Sequence, residues 1–296
     1  MSERLILRSW LFVPGDNQKM LSKSASLGAD AVVFDLEDAV VESRKAKARQ
    51  MVSEHLQVAD RSVCQHWVRI NALDTEHALD DLSMVMAGRP DGIFLPKAEH
   101  AEDGDRLAAH ISELESEYSI ESGSTQILLV AIETAKSILT IGSYTAVHPR
   151  VCGLTWGAVD LSASIGAISN TDDQGHLTAP YIHARTMTLV AAGASGVQAV
   201  DTAFLDFKDD AGLRQNCLEA RRDGFLGKIA IHPAQVGPIN EAFMPTPEEI
   251  EHAKAVVKVF ADNPHAGTVS LNGRMLDKPH LLQAQRTLSL AKQYAD

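Results

Sequence analysis

The chain has 296 residues, of which 45% are hydrophobic and 22% charged, so it can bury a large core and fits one α/β barrel or two ordinary domains. Its formal net charge of −12 argues against a nucleic-acid binder that works through a broad basic face, although a local cationic pocket could still hold an anionic small molecule. We therefore expect a small-molecule partner and no nucleic acid.

Cysteine usage and the first residues predict a compartment. The three cysteines, Cys64, Cys152 and Cys217, are odd in number and lack paired spacing, which argues against a disulfide framework and against a thiolate metal site. The opening residues, MSERLILRSW, lack the apolar core of a signal peptide, and no apolar run approaches membrane-spanning length. We expect a cytoplasmic protein without a membrane partner.

Short apolar runs alternate with amphipathic stretches along most of the chain. Several of these stretches are rich in alanine, lysine and glutamate, and their spacing suits βα repeats. The pattern predicts an α/β fold, a (β/α)8 TIM barrel. A doubly wound open sheet is the alternative, but no GxGxxG follows the first run and no Walker-type glycine loop occurs. The eight predicted strands are SWLFVPG, AVVFDLE, HWVRIN, GIFLPKA, ILLVAIE, VCGLTWG, VQAVD and KIAIHP.

The pattern changes after the eighth predicted strand. PTPEEIEHAKAVVKVFA predicts a helix that begins near Thr246 and has a proline in its first turn. Asn272-Gly273 then separates TVSL from RML as in a two-residue hairpin, and HLLQAQRTLSLAKQY predicts a last helix. We predict a catalytic barrel over residues 1–243 and a helix-hairpin-helix extension over residues 244–296. The extension could also simply cap the bottom of the barrel.

Two acidic residues follow consecutive predicted strands. Glu133 comes directly after ILLVAI, and Asp160 follows VCGLTW and three further residues. The intervening TAKSILTIGSYTAV is long enough for a helix that crosses between parallel strands. Because ligands bind at the carboxyl ends of the strands in such folds, the two carboxylates are candidate ligands of a hard divalent cation such as Mg²⁺. The alternative is a pair of solvated loop acids.

Other residues at the strand ends are candidates for substrate contacts. Gly157 and Ala158, just before Asp160, are small and could bring backbone N–H groups close to a substrate carboxylate. Arg69 in HWVRIN could grip a carboxylate or enolate oxygen through paired hydrogen bonds, and its alternative is an ion pair inside the barrel. His232 is more typical of a hydrogen-bonded strand end than of a metal ligand, because no second histidine lies at a ligand spacing.

Further charged residues crowd two strand ends. Asp35, Glu37 and Asp38 in VFDLEDAV carry more negative charge than packing needs, unless cations or metal-bound waters meet it. We expect Glu37 and Asp38 to support the metal site from behind its direct ligands. Lys97 in FLPKAE could hold an anion or could pair with nearby glutamates.

Eight segments spread over almost the whole chain carry a resemblance to a known family. They are LFVPGD, VVFDLEDAV, VRIN, FLPKAE, AIET, TWGAVDLSASIG, KIAIHPAQ and NGRMLDKP, in this order. The chain resembles the citrate lyase β-subunit-like lyases of the HpcH/HpaI aldolase superfamily, which include malyl-CoA and citramalyl-CoA lyases. The resemblance implies a (β/α)8 barrel that forms homotrimers or dimers of trimers. It also implies Mg²⁺, with Mn²⁺ as the alternative, and a carbon–carbon bond made or broken between an acyl-CoA and a 2-oxo acid.

The resemblance also implies roles for individual residues. Glu133 and Asp160 match the metal-ligand positions, through which the substrate is also held. Arg69 matches a catalytic arginine that contacts the substrate, and Gly157-Ala158 matches the backbone site for a carboxylate. Asp277 in GRMLDKP matches a catalytic aspartate that a neighbouring subunit places over the site, so the extension is expected to work in trans.

The first strand departs from the family pattern. Many relatives follow its Pro-Gly pair with an Asn-Arg-Pro run that faces coenzyme A, whereas this chain has DNQK at positions 16–19. We expect coenzyme A as part of the substrate, with contacts from Pro14, Lys19 and Lys97.

These expectations define one function and its alternatives. The first is a Mg²⁺-dependent oxo-acid lyase that cleaves or forms a 3-hydroxyacyl-CoA such as malyl-, citramalyl- or citryl-CoA. One alternative is a pyruvate or oxaloacetate aldolase that does not need CoA and that commonly uses a histidine base. Others are a citrate lyase β subunit that acts on a carrier-protein thioester, and a catalytically silent binding subunit.

Overall fold

The computed structural model describes residues 5–295, which form two compact units. The first unit is Leu7–Ala242, and the second joins residues 243–295 to residues 5 and 6. No helix in the described part of the chain is both long enough and apolar enough to cross a membrane.

The first unit is a closed barrel of eight parallel strands, in which each strand pairs with the next and the last pairs with the first. Each predicted strand segment overlaps one of them, so the (β/α)8 prediction is confirmed. The strands are β1 (Ser9–Pro14), β2 (Ala31–Asp35), β3 (Gln65–Arg69), β4 (Gly92–Leu95), β5 (Gln126–Ile132), β6 (Val151–Trp156), β7 (Gln198–Asp201) and β8 (Gly227–Ala230).

Helices follow the strands, as a βα repeat requires. They are α1 (Gln18–Leu21), α2 (Lys45–Val58), α3 (Ala78–Met86), α4 (Ala101–Glu117), α5 (Ala135–Thr140), α6 (Ala158–Ile165), α7 (Ala179–Ser195), α8 (Asp210–Asp223) and α9 (Val236–Ala242).

Two helices are much shorter than the amphipathic stretches that contain them. Helix α1 has four residues and gives way to a 3₁₀ turn, and α5 has six residues before a kinked 3₁₀ turn that includes Tyr144. After β1 the hydroxyls of Ser22, Ser24 and Ser26 donate to backbone carbonyls three residues earlier, at 2.7–3.2 Å. Such local bonds compete with the helical hydrogen bonds and shorten the helix.

Alternate residues of the strands point inward and fill the barrel. Trp10 and Trp67 meet edge to face with ring centroids 4.9 Å apart, and Phe94 joins them at 6.5 Å from Trp10. Gly92 provides the space for this packing, because a Cβ at that position would overlap the Trp67 ring. The small residue at the start of β4 is therefore a requirement of the core.

The second unit contains the predicted helix, hairpin and helix. It consists of α10 (Pro247–Ala261), β9 (Thr268–Leu271), β10 (Arg274–Asp277) and α11 (Lys278–Gln293). Asn272 and Gly273 both have positive φ, 50° and 77°, which is the backbone that a tight antiparallel hairpin needs. Buried side chains from all four elements, among them Phe260, Val269, Leu276 and Ala284, form its core.

We expect Gly92→Ala to lower the free energy of unfolding by about 1–3 kcal/mol, because the added methyl group overlaps the buried Trp67 ring. Urea unfolding followed by circular dichroism measures the change. Gly142→Ala is the matched control, since a Cβ there meets nothing within 4 Å. Equal stability of the two variants would contradict this account of the core.

Candidate active site

The carboxyl ends of the strands surround a cavity of about 300 Å³. Its walls combine apolar side chains with a small number of charged and polar groups, which is typical of a small-molecule site. The apolar wall includes Phe12, Phe94, Val130, Trp156, Leu205, Ile229 and Ile231. The polar groups are Asp35, Arg69, Glu133, Asp160, Asn170 and Thr202.

Glu133 is buried directly after β5, with 5% of its surface exposed. Its Oε2 accepts a hydrogen bond of 2.8 Å from the backbone N–H of Lys97, which fixes one carboxylate oxygen. Burial raises the pKa of Glu133 to about 8, and the nearby charges of Asp160 and Glu37 add to the shift. Negative charge at this position is therefore incompletely balanced by the protein itself.

Asp160 reaches the same cavity from the first turn of α6. The strand-to-helix turn passes through Gly157, whose N–H donates to Ile132 O at 2.8 Å. A Cβ on Gly157 would lie 2.5 Å from Glu133 Oε1, so only glycine lets the turn pass this close to the carboxylate. The Gly157 N–H is thus bonded to the end of β5. The N–H groups of α6 that lack a partner within the helix begin at Ala158.

The donor set fits a hard divalent cation. Glu133 and Asp160 bring carboxylate oxygens to one wall of the cavity, and Mg²⁺ prefers oxygen ligands and few protein groups. Burial raises the pKa of Glu133, and a bound cation would favour its ionised form. These two residues are the ones that could hold Mg²⁺, and water and substrate would complete its coordination.

Arg69 and Asp35 form a two-point ion pair at the ends of the neighbouring strands β3 and β2. Arg69 Nε and Nη2 donate to the two oxygens of Asp35 at 2.7 and 2.6 Å. Burial alone would raise the pKa of Asp35, but the Arg69 guanidinium and two backbone N–H groups hold it below its usual range. The alternative of an ion pair is therefore present, while Arg69 also lines the cavity and lies 4.8 Å from the centre of the Phe12 ring.

Lys97 lies among acids, as the second of its two sequence alternatives predicted. Its ammonium contacts Glu37 Oε1 and lies 3.5 Å from Asp38 Oδ1 and 3.8 Å from Asp160 Oδ1. Glu37 is buried, and burial raises its pKa despite Arg69 and Lys97. Glu37 and Asp38 thus meet Asp160 through one shared lysine, and their support of the metal site stays a prediction.

The remaining predicted residues are distributed unevenly. Pro14 lines the cavity, whereas Lys19 is exposed on α1 and does not. Asp277 belongs to the second unit, where it immediately precedes α11 and its Oδ1 lies 2.5 Å from His280 Nδ1. His232 lies two residues after β8, and its Nδ1 accepts a hydrogen bond from the Ala234 N–H.

Sequence reasoning missed two sets of contacts around these groups. His280 beside Asp277 was not singled out, although an acid and a histidine three positions apart at a helix start was a usable signal. Asp201 at the end of VQAVD was also missed. It is buried and accepts from Trp156 Nε1 at 2.9 Å and from Lys228 Nζ at 3.1 Å, which fixes one wall of the cavity.

Comparison with known proteins identifies the family to which the chain belongs. Residues 8–233 match the model of the HpcH/HpaI aldolase/citrate lyase family, which is more than half of the chain. The chain belongs to the HpcH/HpaI aldolase/citrate lyase family. The resemblance stated from the sequence is therefore confirmed.

Individual members of the HpcH/HpaI family match over nearly the full chain. Citramalyl-CoA lyase, mitochondrial, from Mus musculus is 34% identical and covers 96% of this chain and 86% of its own length. (3S)-malyl-CoA thioesterase from Cereibacter sphaeroides is 34% identical, covering 97% and 95%. The solved structure of protein CitE from Mycobacterium tuberculosis in complex with magnesium, acetoacetate and coenzyme A has a TM-score of 0.79 and 30% identity, covering 97% and 98%. Relatives named as lyases make this chain an enzyme of the carbon–carbon lyase class.

We expect Gly157→Ala to weaken metal binding by about 10–100-fold, because its methyl group displaces the Glu133 carboxylate. Calorimetric titration of Mg²⁺ into the folded variant measures the loss. Gly193→Ala in α7 is the control, since its Cβ meets nothing within 4 Å. Unchanged affinity in Gly157→Ala would remove Glu133 from the metal site.

Proposed function

We propose that the chain is a Mg²⁺-dependent lyase that cleaves or forms a 3-hydroxyacyl-CoA such as malyl-, citramalyl- or citryl-CoA, with an acyl-CoA and a 2-oxo acid as the other side of the reaction. The observation that carries the proposal is the meeting of two carboxylates, a guanidinium and a helix start in one cavity. These groups suit the carboxylate and carbonyl oxygens of a 2-oxo acid bound to a hard cation. The named relatives act on CoA thioesters or contain coenzyme A and magnesium, which supports the same chemistry.

The residues of the barrel bind and orient the 2-oxo acid in this proposal. Glu133 and Asp160 hold Mg²⁺, which when bound polarises the carbonyl of the 2-oxo acid as a Lewis acid. The free N–H groups at the start of α6, from Ala158 onward, face the substrate carboxylate. Arg69 stabilises the oxygen on which negative charge develops, and its pairing with Asp35 holds the guanidinium plane in a fixed orientation.

Asp277 moves the proton. In condensation its carboxylate removes a proton from the carbon next to the thioester, and in cleavage its acid form returns a proton to the resulting enolate, as microscopic reversibility requires. His280, at 2.5 Å, orients this carboxylate. We propose that Asp277 serves the barrel of a neighbouring copy in a homotrimer or a dimer of trimers, so that the extension over residues 244–296 completes a site in trans.

Two other functions within the family remain as alternatives to be tested. A CoA-independent aldolase would use a histidine base, yet no histidine lines the cavity among the residues that the structure describes. A citrate lyase β subunit would act on a carrier-protein thioester and not on free CoA thioesters. Turnover of free CoA thioesters by the chain alone therefore separates the proposal from both.

The proposal predicts Mg²⁺-dependent turnover of at least one member of a panel of malyl-, methylmalyl-, citramalyl- and citryl-CoA. Release of both the 2-oxo acid and the acyl-CoA is measured with Mg²⁺ and with EDTA. Glu133→Gln should stay folded and lose most activity at limiting Mg²⁺, since an amide is a poorer ligand for a hard cation than a carboxylate. Hydrolysis to the free 3-hydroxy acid without carbon–carbon cleavage would show a thioesterase and contradict the proposal.

The shared site predicts complementation between two inactive variants. Asp277→Asn should bind metal and 2-oxo acid yet lose proton transfer, and Asp160→Asn should stay folded and keep Asp277 yet lose metal binding. Oligomers of either variant alone should be nearly inactive, whereas mixed oligomers, verified by mass, should regain a sizeable fraction of the wild-type rate. A site built within one chain gives no complete site in any mixture, so inactive mixed oligomers would exclude the trans arrangement.

A further inference from the structure

The side chains that line the cavity carry an unequal supply of charges. Asp35, Glu133 and Asp160 contribute carboxylates, and Arg69 is the single cationic side chain of the lining in the described part of the chain. A divalent cation on Glu133 and Asp160 would bring this lining to electrical neutrality before a substrate binds. The start of α6 would then meet the first carboxylate of a 2-oxo acid, and a second carboxylate would have no cation left.

Arg69 cannot serve a second substrate carboxylate without giving up its own partners. Its Nε and Nη2 donate to the two oxygens of Asp35 at 2.7 and 2.6 Å, and its Nη1 lies 2.9 Å from Glu37 Oε2. All three guanidinium nitrogens therefore face carboxylates of the protein. Lys97 is likewise shared among three acids. The positive charge near the cavity is thus already balanced by the protein.

The closed end of the cavity is apolar. Phe12, Phe94, Val130 and Ile229, from β1, β4, β5 and β8, line the cavity and lie within or against the hydrophobic core of the barrel. Phe12 and Phe94 meet edge to face with ring centroids 5.2 Å apart, and Val130 comes shortly before Glu133 in the chain. We call these four side chains the cavity floor.

One group of the substrate is left to meet this apolar surface. In the proposed function the carbonyl oxygen and the carboxylate of the 2-oxo acid are held at Glu133 and Asp160. The acyl-CoA enters from the open mouth, because the core of the barrel closes the other end. The third group on the carbonyl carbon therefore lies against the cavity wall. Apart from the charged residues, the polar side chains of the described wall are the uncharged Asn170 and Thr202.

We infer that the 2-oxo acid is a monocarboxylate with a short alkyl group next to its carbonyl, of which pyruvate is the simplest. The corresponding 3-hydroxyacyl-CoA has that alkyl group on its hydroxyl carbon, as in citramalyl-CoA. The inference rests on the proposed function and narrows it. A methyl group on the cavity floor is removed from water, whereas the second carboxylate of oxaloacetate would be desolvated without a partner.

The test is calorimetric titration of pyruvate, glyoxylate and oxaloacetate into the full-length protein saturated with Mg²⁺. Pyruvate should bind about 100-fold or more tightly than oxaloacetate, because an unpaired charge beside carboxylates is strongly unfavourable. It should bind about threefold or more tightly than the unhydrated form of glyoxylate, which lacks the methyl group. Oxaloacetate is used fresh and cold, and nuclear magnetic resonance checks that it has not decarboxylated to pyruvate.

Three variants separate the effect of charge from that of the floor. Ile231→Arg places a cation on the cavity wall at a partly exposed position and should raise the affinity for oxaloacetate relative to pyruvate by about tenfold or more. Val58→Arg adds the same charge to α2 at a position that is 83% exposed and outside the cavity, and it should leave this ratio unchanged. Ile229→Ala enlarges the floor and should shift the preference from pyruvate toward 2-oxobutyrate by about threefold or more.

The outcomes distinguish this inference from the function on which it rests. Oxaloacetate or glyoxylate bound as tightly as pyruvate by the wild type overturns the inference and leaves the 2-oxo acid site standing. An unchanged preference in folded Ile231→Arg or in folded Ile229→Ala contradicts the roles assigned to charge and to the floor. If none of these 2-oxo acids binds in the presence of Mg²⁺, the proposed function is overturned, and the inference with it.

Discussion

The buried ion pair of Arg69 with Asp35 is the interaction on which the acidic end of the barrel depends. Asp35 is almost fully buried, and an isolated carboxylate there would be strongly destabilising without the guanidinium that meets both its oxygens. The pair joins β2 to β3 at matched positions of their register. It thereby fixes the turn that leads to Glu37 and Asp38, and it fixes the orientation of the guanidinium plane at the cavity wall.

Much of the barrel could be predicted from the sequence because its signals are local. Parallel strands that are covered on both faces read as short apolar runs, and eight such runs with helical spacing leave few other arrangements. The lengths of the connecting helices could not be predicted in this way. Ser22, Ser24 and Ser26 looked compatible with a helix, and only the structure shows their hydroxyls bonded to local carbonyls in place of a regular helix.

The candidate site, too, could be predicted only in part from the sequence. Glu133, Asp160 and Arg69 follow strands, so their convergence in one cavity follows from the fold. Which of these side chains pair with one another does not follow from the fold, because pairing depends on side-chain geometry between strands that are far apart in sequence. Arg69 could equally have faced a substrate alone, and the sequence carried no sign that Lys97 would take a left-handed backbone and bridge Glu133 and Glu37. The contacts of Asp201 with Trp156 and Lys228 could not be predicted for the same reason, whereas the pairing of His280 with Asp277, three positions away, was a local signal.

The tryptophans of the barrel provide intrinsic spectroscopic probes of the core and of the cavity. Trp10 and Trp67 lie edge to face at 4.9 Å in the closed core, close enough for their excited states to couple and to give a near-ultraviolet dichroic signal that depends on intact packing. Trp156 stands apart on the cavity wall, with its indole N–H held by buried Asp201. Its indole therefore borders any occupant of the cavity, so its emission can report on ligand entry, while the near-ultraviolet signal of Trp10 and Trp67 reports on packing of the core.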